Sequence, residues 1–171
     1  MQILETPRLI IRYFTIRDLE SLFPILGDAR VMEFSIIGVH DRQQIRKFIE
    51  QRLLSYMDPG FGLYALVNKE DRELIGYCGF FIQKIDDRKE VEIGYRLAAK
   101  YWGKGLATEA AQTIYQYGRE RFNFQRFVCL IEPENTRSIR VAQKLGMKLE
   151  KSIVYYGIDV DVYASEVRSK K

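Results

Sequence analysis

Val91-Glu92-Ile93-Gly94-Tyr95-Arg96-Leu97, followed after three residues by Tyr101-Trp102-Gly103-Lys104-Gly105-Leu106-Ala107-Thr108-Glu109-Ala110, reads as a strand that passes through a glycine loop into a helix. Glycine lets the main chain approach a ligand closely. The first N–H groups of a helix have no intrahelical partner and carry the positive end of its dipole. A phosphate or pyrophosphate is the guest that such a turn accepts. The spacing is not that of a Walker loop, since Thr108 follows Leu106-Ala107 rather than a Gly-Lys pair. Nor is it a dinucleotide fingerprint: the third glycine is absent, and the loop sits in mid-chain rather than on a first βα unit.

Working outward, Arg8 to Phe14 alternates like a strand, and Thr15 with Asp18 marks the start of a helix running to about Leu26, stopped by Gly27. Asp41 opens a second helix in which Ile45, Phe48, Ile49, Leu53 and Tyr56 form a core-facing stripe, closed by Asp58-Pro59-Gly60. Phe61 to Asn68 and Leu74 to Gln83 read as strands joined by a turn at Lys69-Glu70-Asp71-Arg72. Asp86-Asp87-Arg88 then leads into a strand over Glu90 to Leu97. A helix from about Gly105 to Phe122, a strand at Arg126 to Ile131, a helix from Thr136 to Leu145 and strands at Lys148 to Tyr156 and Asp159 to Val167 complete the order. An antiparallel meander thus feeds a βαβα half.

The composition suits one domain over residues 1–171: at 47% hydrophobic and 29% charged, the chain can bury a single sizeable core. The net charge of +4 suits a ligand with several phosphates, but no dense basic patch with interleaved aromatics points to nucleic acid. Met1-Gln2-Ile3-Leu4-Glu5 lacks the basic start and apolar run of a signal peptide, and no stretch is long enough to span a membrane, so a cytoplasmic protein is expected. Cys78 and Cys129 lie in apolar, strand-like surroundings and read as reduced core thiols. No metal site suggests itself, and the single histidine, His40, reads as a neighbour of the helix start at Asp41.

The glycine loop resembles the pyrophosphate loop of the GNAT superfamily of acyl-CoA N-acyltransferases, Gln/Arg-x-x-Gly-x-Gly/Ala, which here reads Trp102-x-x-Gly105-x-Ala107. An aromatic first position, with the wording of Tyr101 to Ala110, is similar to the RimJ/RimL branch of ribosomal-protein-alanine acetyltransferases. The opening Glu5-Thr6-Pro7-Arg8-Leu9-Ile10-Ile11-Arg12, Thr15-x-x-Asp18-Leu19, Asn135-Thr136-Arg137-Ser138 and Lys144-Leu145-Gly146-Met147 extend the likeness over roughly residues 5 to 165. The resemblance implies an α+β fold with a mixed, mostly antiparallel sheet of about seven strands and four helices. Its fourth and fifth strands splay apart to receive acetyl-CoA, the cosubstrate. It further implies that the pantetheine runs along Ile93, Gly94, Tyr95, Arg96 and Leu97. The pyrophosphate would be held by Trp102, Gly103, Lys104, Gly105, Leu106, Ala107 and Thr108.

In relatives an asparagine at the position of Asn135 bonds the pantetheine, although a helix N-cap explains an asparagine there equally well. Arg137, Arg140 and Lys144 lie at spacings that place some of them on one helix face, where they meet either solvent or the ribose phosphate. Direct acetyl transfer to an amine needs a base, an oxyanion donor and a proton for the leaving thiolate. Glu92 stands where relatives carry the base, with a surface carboxylate as the plain alternative. A backbone N–H near Gly94 to Arg96 can serve the oxyanion. The tyrosine that many members carry seven residues after the asparagine is Ala142 here. Ser138, a donor in this branch, is the other candidate acid, with cap hydrogen bonding as the alternative.

Acceptor choice in this fold comes from the segments here spanning Gly27 to Asp41 and Tyr155 to Val160, whose Glu33, Phe34, Tyr155 and Tyr156 name no substrate. The branch implies a protein N-terminal α-amine. Small-molecule amines, including polyamines, amino sugars and amino acids, stay open, as does a homodimer. A non-catalytic acyl-CoA sensor and a nucleotide-binding protein are the competing readings. The second lacks a Ser/Thr and Asp set for Mg²⁺.

Overall fold

The computed structural model describes residues 1–166. Eight strands form: β1 (Gln2–Glu5), β2 (Leu9–Arg12), β3 (Leu63–Asn68), β4 (Leu74–Ile85), β5 (Arg88–Leu97), β6 (Val128–Ile131), β7 (Lys148–Tyr155) and β8 (Ile158–Ala164). They make one sheet in the order β1-β2-β3-β4-β5-β6-β8-β7, antiparallel at every junction except β5–β6. The helices are α1 (Leu19–Leu26), α2 (Arg42–Ser55), α3 (Leu106–Arg121) and α4 (Thr136–Lys144). Val167, where the sequence pattern ends the last strand, lies outside the described residues.

Two details differ from the sequence reading. Gln2–Glu5 is a strand of its own, folded onto β2 through a turn in which the Leu9 N–H donates to Thr6 Oγ1 at 2.8 Å. Being four residues long and at the sheet edge, with only Ile3 and Leu4 half-buried, it carries little hydrophobic pattern. The parallel, diverging pair is therefore β5 and β6 rather than a fourth and fifth strand. The helix expected from Thr15 begins as a single 3-10 turn over Ile16–Asp18 before α1.

Helices cover both faces of the sheet. On one, α3 places Leu106, Ala110, Ala111 and Ile114 against Ile93 and Leu97 of β5. On the other, α1 and α2 bury Leu22, Ile25, Leu26, Ile45 and Ile49 against Tyr77 of β4. The α2 stripe is thus core, its start set by Asp41, whose carboxylate accepts from the Gln44 N–H at 2.8 Å while Gln44 Oε1 accepts from the Asp41 N–H. Cys78 and Cys129 are buried free thiols, pushed up by desolvation and so poorly reactive.

Because side chains alternate along a strand, β5 divides these two regions. Ile93, Tyr95 and Leu97 face α3 and α4, whereas Glu92, Gly94 and Arg96 face the α1–α2 side and meet Gln83, Phe81 and Met32 respectively. Its end is braced by Gly76 of β4, which pairs with Leu97 at φ +152°.

Candidate active site

β5 and β6 share a single paired position, Glu92 opposite Val128, and then part. Beyond it β5 runs on to Leu97 with its β6-facing edge unmatched by any strand. A cleft of ≈710 Å³ opens between them, walled by Glu92 to Leu97, by Cys129 to Glu132, by parts of the α1–α2 connection and by the loop before α3. An unmatched strand edge continuing into a helix N-terminus is a fit for an extended arm that ends in phosphates.

The loop is built by two left-handed glycines, Gly103 at φ +72° and Gly105 at φ +75°, the second capping α3. Trp102 anchors its start by donating its indole N–H to the Leu97 carbonyl at 2.9 Å. Its far side is clasped from the N-terminal turn. Arg8 Nη1 donates to the Lys104 carbonyl at 2.8 Å and Arg8 Nε to Glu109 Oε2 at 2.7 Å, while the Thr6 hydroxyl donates to Glu109 Oε1 at 2.5 Å. Desolvation pushes the Glu109 carboxyl up, but the bonds from Thr6 and Arg8 outweigh it and hold the group below its ordinary range. These contacts tie the opening Thr6-Pro7-Arg8 to the loop and the first turn of α3. Trp102, Gly103, Gly105, Leu106, Ala107 and Thr108 all line the cleft. Lys104 does not: its ammonium lies over the Tyr101 ring at 5.5 Å and its carbonyl is held by Arg8.

At the mouth of β6, Asn135 caps α4 by accepting from the Ser138 N–H at 3.3 Å, and both residues line the cleft. The Tyr95 hydroxyl crosses from β5 to donate to the Ser138 carbonyl at 3.1 Å, and burial keeps that phenol protonated by raising its pKa. Ala142 is fully buried beneath them. The Arg137 guanidinium stacks on the Trp102 ring at 3.8 Å and, with Arg140 and Lys144, lines the same wall near the loop.

Glu92 sits at the point of divergence. Its Oε2 accepts from Gln83 Nε2 at 2.6 Å and its Oε1 from the Leu130 N–H at 3.3 Å, while the Tyr155 hydroxyl donates to Gln83 Oε1 at 2.5 Å and so fixes which end of that amide meets the carboxylate. Desolvation dominates and pushes the Glu92 carboxyl up to about 7, against the two hydrogen bonds that lower it. That places a carboxylate in the range where a base can accept a proton at neutral pH. Gln83 and its link to Tyr155 carry no sequence signal, since the pairing spans 72 residues and depends on sheet register. Gln83→Leu removes the bond that favours the charged form. The rising limb of kcat/KM against pH is expected to move upward from about 7, and an unmoved midpoint would separate Gln83 from the titrating group.

On the α1–α2 side the cleft takes in Phe34, His40, Tyr155, Ile158 and Val160, so both segments expected to choose the acceptor reach it. Glu33 instead stands 4.0 Å from Arg137, and Tyr156 is exposed. His40 donates from Nδ1 to the Gly38 carbonyl, 3.0 Å away, beside the α2 cap.

The model of the acetyltransferase (GNAT) domain matches residues 8–148. The chain is 35% identical to the uncharacterized protein YkkB of Bacillus subtilis, over 94% of this chain and 93% of that one. It is 33% identical to the uncharacterized N-acetyltransferase p20 of Bacillus licheniformis, over 95% and 94%. Among solved structures, an acetyltransferase of the GNAT family from Bacillus anthracis superposes with a TM-score of 0.79 at 28% identity, covering 96% of each chain. A RimL ribosomal L7/L12 α-N-protein acetyltransferase in complex with coenzyme A shares the fold, with a TM-score of 0.82 at 22% identity over 98% of each chain. A splayed β5–β6 pair, a glycine loop at the head of α3 and a domain match over most of the sequence have one explanation: the chain belongs to the GNAT family of acetyl-CoA-dependent N-acetyltransferases.

Proposed function

We propose that this protein, acting as a single domain in the cytoplasm, acetylates the primary amine of a protein N-terminus or of a small molecule, with Glu92 as the base. The observation that carries the reading is the placement of a desolvated carboxylate at the point where β5 and β6 part. Glu92 takes a proton from the ammonium, directly or through water, and the neutral nitrogen forms the C–N bond as the thioester C–S bond breaks. An α-amine, with a pKa near 8, is the easier group to deprotonate. A backbone N–H between Gly94 and Arg96 steadies the oxyanion, and the Ser138 hydroxyl relays to the thiolate the second proton, which the nitrogen sheds once the C–N bond has formed.

On the cofactor side, Ile93 to Leu97 bind the pantetheine along the unmatched edge, with Asn135 bonding it from the start of α4. The N–H groups of the Trp102 to Thr108 loop take the pyrophosphate, and Arg137 and Lys144 take the ribose phosphate. Thiol release from acetyl-CoA against N-terminal peptides, polyamines, aminoglycosides and amino acids, run beside calorimetric CoA binding, tests this. Turnover with an amine is the expected result. Tight CoA binding without turnover on the whole panel would favour an acyl-CoA sensor, and failure to bind CoA would overturn the reading. Ser138→Ala with an unchanged kcat would remove that hydroxyl from the proton path.

A further inference from the structure

We infer that the acceptor carries an anionic group, a carboxylate or a phosphate, received by Arg52 and Arg96 on the α1–α2 side of the cleft; the inference rests on the acetyl-transfer reading above.

Arg52 is one turn beyond Phe48 on α2, and its guanidinium lies 5.1 Å from the Phe48 ring and 5.8 Å from that of Phe81. Its Nε is buried with no hydrogen-bond partner, the single such side-chain atom among the described residues. Burial lowers its pKa, and the groups that offset this are the phenols of Tyr77 and Tyr56, not a carboxylate. A guanidinium stays charged at any working pH, so this is a cation held in an apolar wall with an unfilled donor. Arg96, on the same side, points Nη1 at the Met32 sulfur 2.8 Å away, a weak acceptor that leaves its charge uncompensated.

Other half-buried arginines have oxygen partners: Arg119 donates to the Phe124 and Gln125 carbonyls and to the Tyr115 hydroxyl, and two have carboxylates. Arg12 has Asp18 at 2.7 Å, and Arg126 has both Glu90 and Glu150. Leaving one partner of a buried pair unmatched is unfavourable, and a ligand anion can supply the missing half through the paired N–H donors of the guanidinium. Coenzyme phosphates are not that anion. Arg137, Arg140 and Lys144 belong to α4, beside the loop, whereas Arg52 belongs to α2 and Arg96 points at Met32 on the α1–α2 side of β5. A polycationic acceptor meets two arginines without a carboxylate partner here, against Glu92, whose carboxyl is pushed up by burial, and Glu132 on the β6 wall.

The test uses matched acceptors at saturating acetyl-CoA: Ser-Asp amide against Ser-Asn amide, and phosphoethanolamine against ethanolamine, with spermidine as the cationic extreme. Saturation-transfer NMR of the same compounds on the free and CoA-bound protein gives a readout that needs no turnover. The anionic member of a pair is expected to be preferred by about tenfold or more, and Arg52→Gln and Arg96→Gln each to erase most of that preference. Circular dichroism and thermal unfolding report that the variants are folded. Preference for neutral or cationic members, or no binding of any anionic member at millimolar concentration, would overturn the anion site. Turnover with such a neutral preference would leave the acetyl-transfer reading standing, whereas loss of CoA binding in the unaltered protein strikes that reading itself.

Discussion

Glu92→Gln is expected to lower kcat by about 100-fold or more at pH 8 and to abolish the rising limb of activity near pH 7, because general-base assistance contributes roughly 10²- to 10⁴-fold. The variant keeps the shape of the side chain and one oxygen for the Gln83 amide, so the cleft is preserved while the proton acceptor is lost. Stability runs the other way. A carboxyl whose folded pKa of about 7 lies above its ordinary 4.5 stabilises the fold when protonated, and that contribution fades as pH rises through the folded value. Above pH 7 the buried charge works against the native state, and Glu92→Gln relieves it. Thermal unfolding at pH 8 should therefore show the inactive variant no less stable than the parent. A kcat within a few-fold of the parent across pH would remove Glu92 from the base role.

Gly76→Ala is expected to be the most damaging of small substitutions in the sheet, at about 3 kcal/mol or more. A β-carbon built there falls 1.9 Å from the Arg96 carbonyl oxygen and 2.9 Å from the Leu97 α-carbon, on a backbone at φ +152° that side chains rarely adopt. The atoms it strikes are main chain of β5, with no flexible end to swing aside, so relief requires moving the strand that lines the cleft. For a chain of this length the loss corresponds to a fall in Tm of roughly 6–12 °C. Weakened CoA binding should accompany it. Differential scanning calorimetry reads the first and calorimetric titration the second, and a Tm within 2 °C or so of the parent would contradict the clash.

What could be read in the sequence follows the range over which each feature is determined. The strand–glycine–helix passage from Val91 to Ala110 is set by neighbours in the chain, and so it was legible along with the capping of α2 at Asp41 and the apolar stripe of Ile45 and Ile49. Glu92 was reachable through its strand position and the family pattern, but its desolvation is a property of packed surroundings. Gln83 meets Tyr155, and Arg8 meets Glu109, only because the sheet register and the seating of α3 bring distant residues together. Arg52 was hidden for another reason. A charged residue beside an apolar stripe is usually solvated, and nothing in the local sequence shows that Phe48 and Phe81 enclose this one. The edge strand β1 escaped because its two half-buried residues, Ile3 and Leu4, are adjacent and give no alternation to detect.

The alternation along β5 gives one strand two differently directed sets of side chains on the wall of a single cleft. The side chains of Ile93, Tyr95 and Leu97 pack toward α3 and α4, whereas those of Glu92 and Arg96 border the space proposed for the acceptor, the main chain of the same strand being the part proposed to meet the pantetheine. Mutational libraries confined to Met32 and Arg52, which line the cleft but lie outside the strand proposed to bind the pantetheine, are expected to retune which amine is taken while donor affinity stays fixed. Inserting a single residue into the strand would exchange the two sides at a stroke and end both activities together.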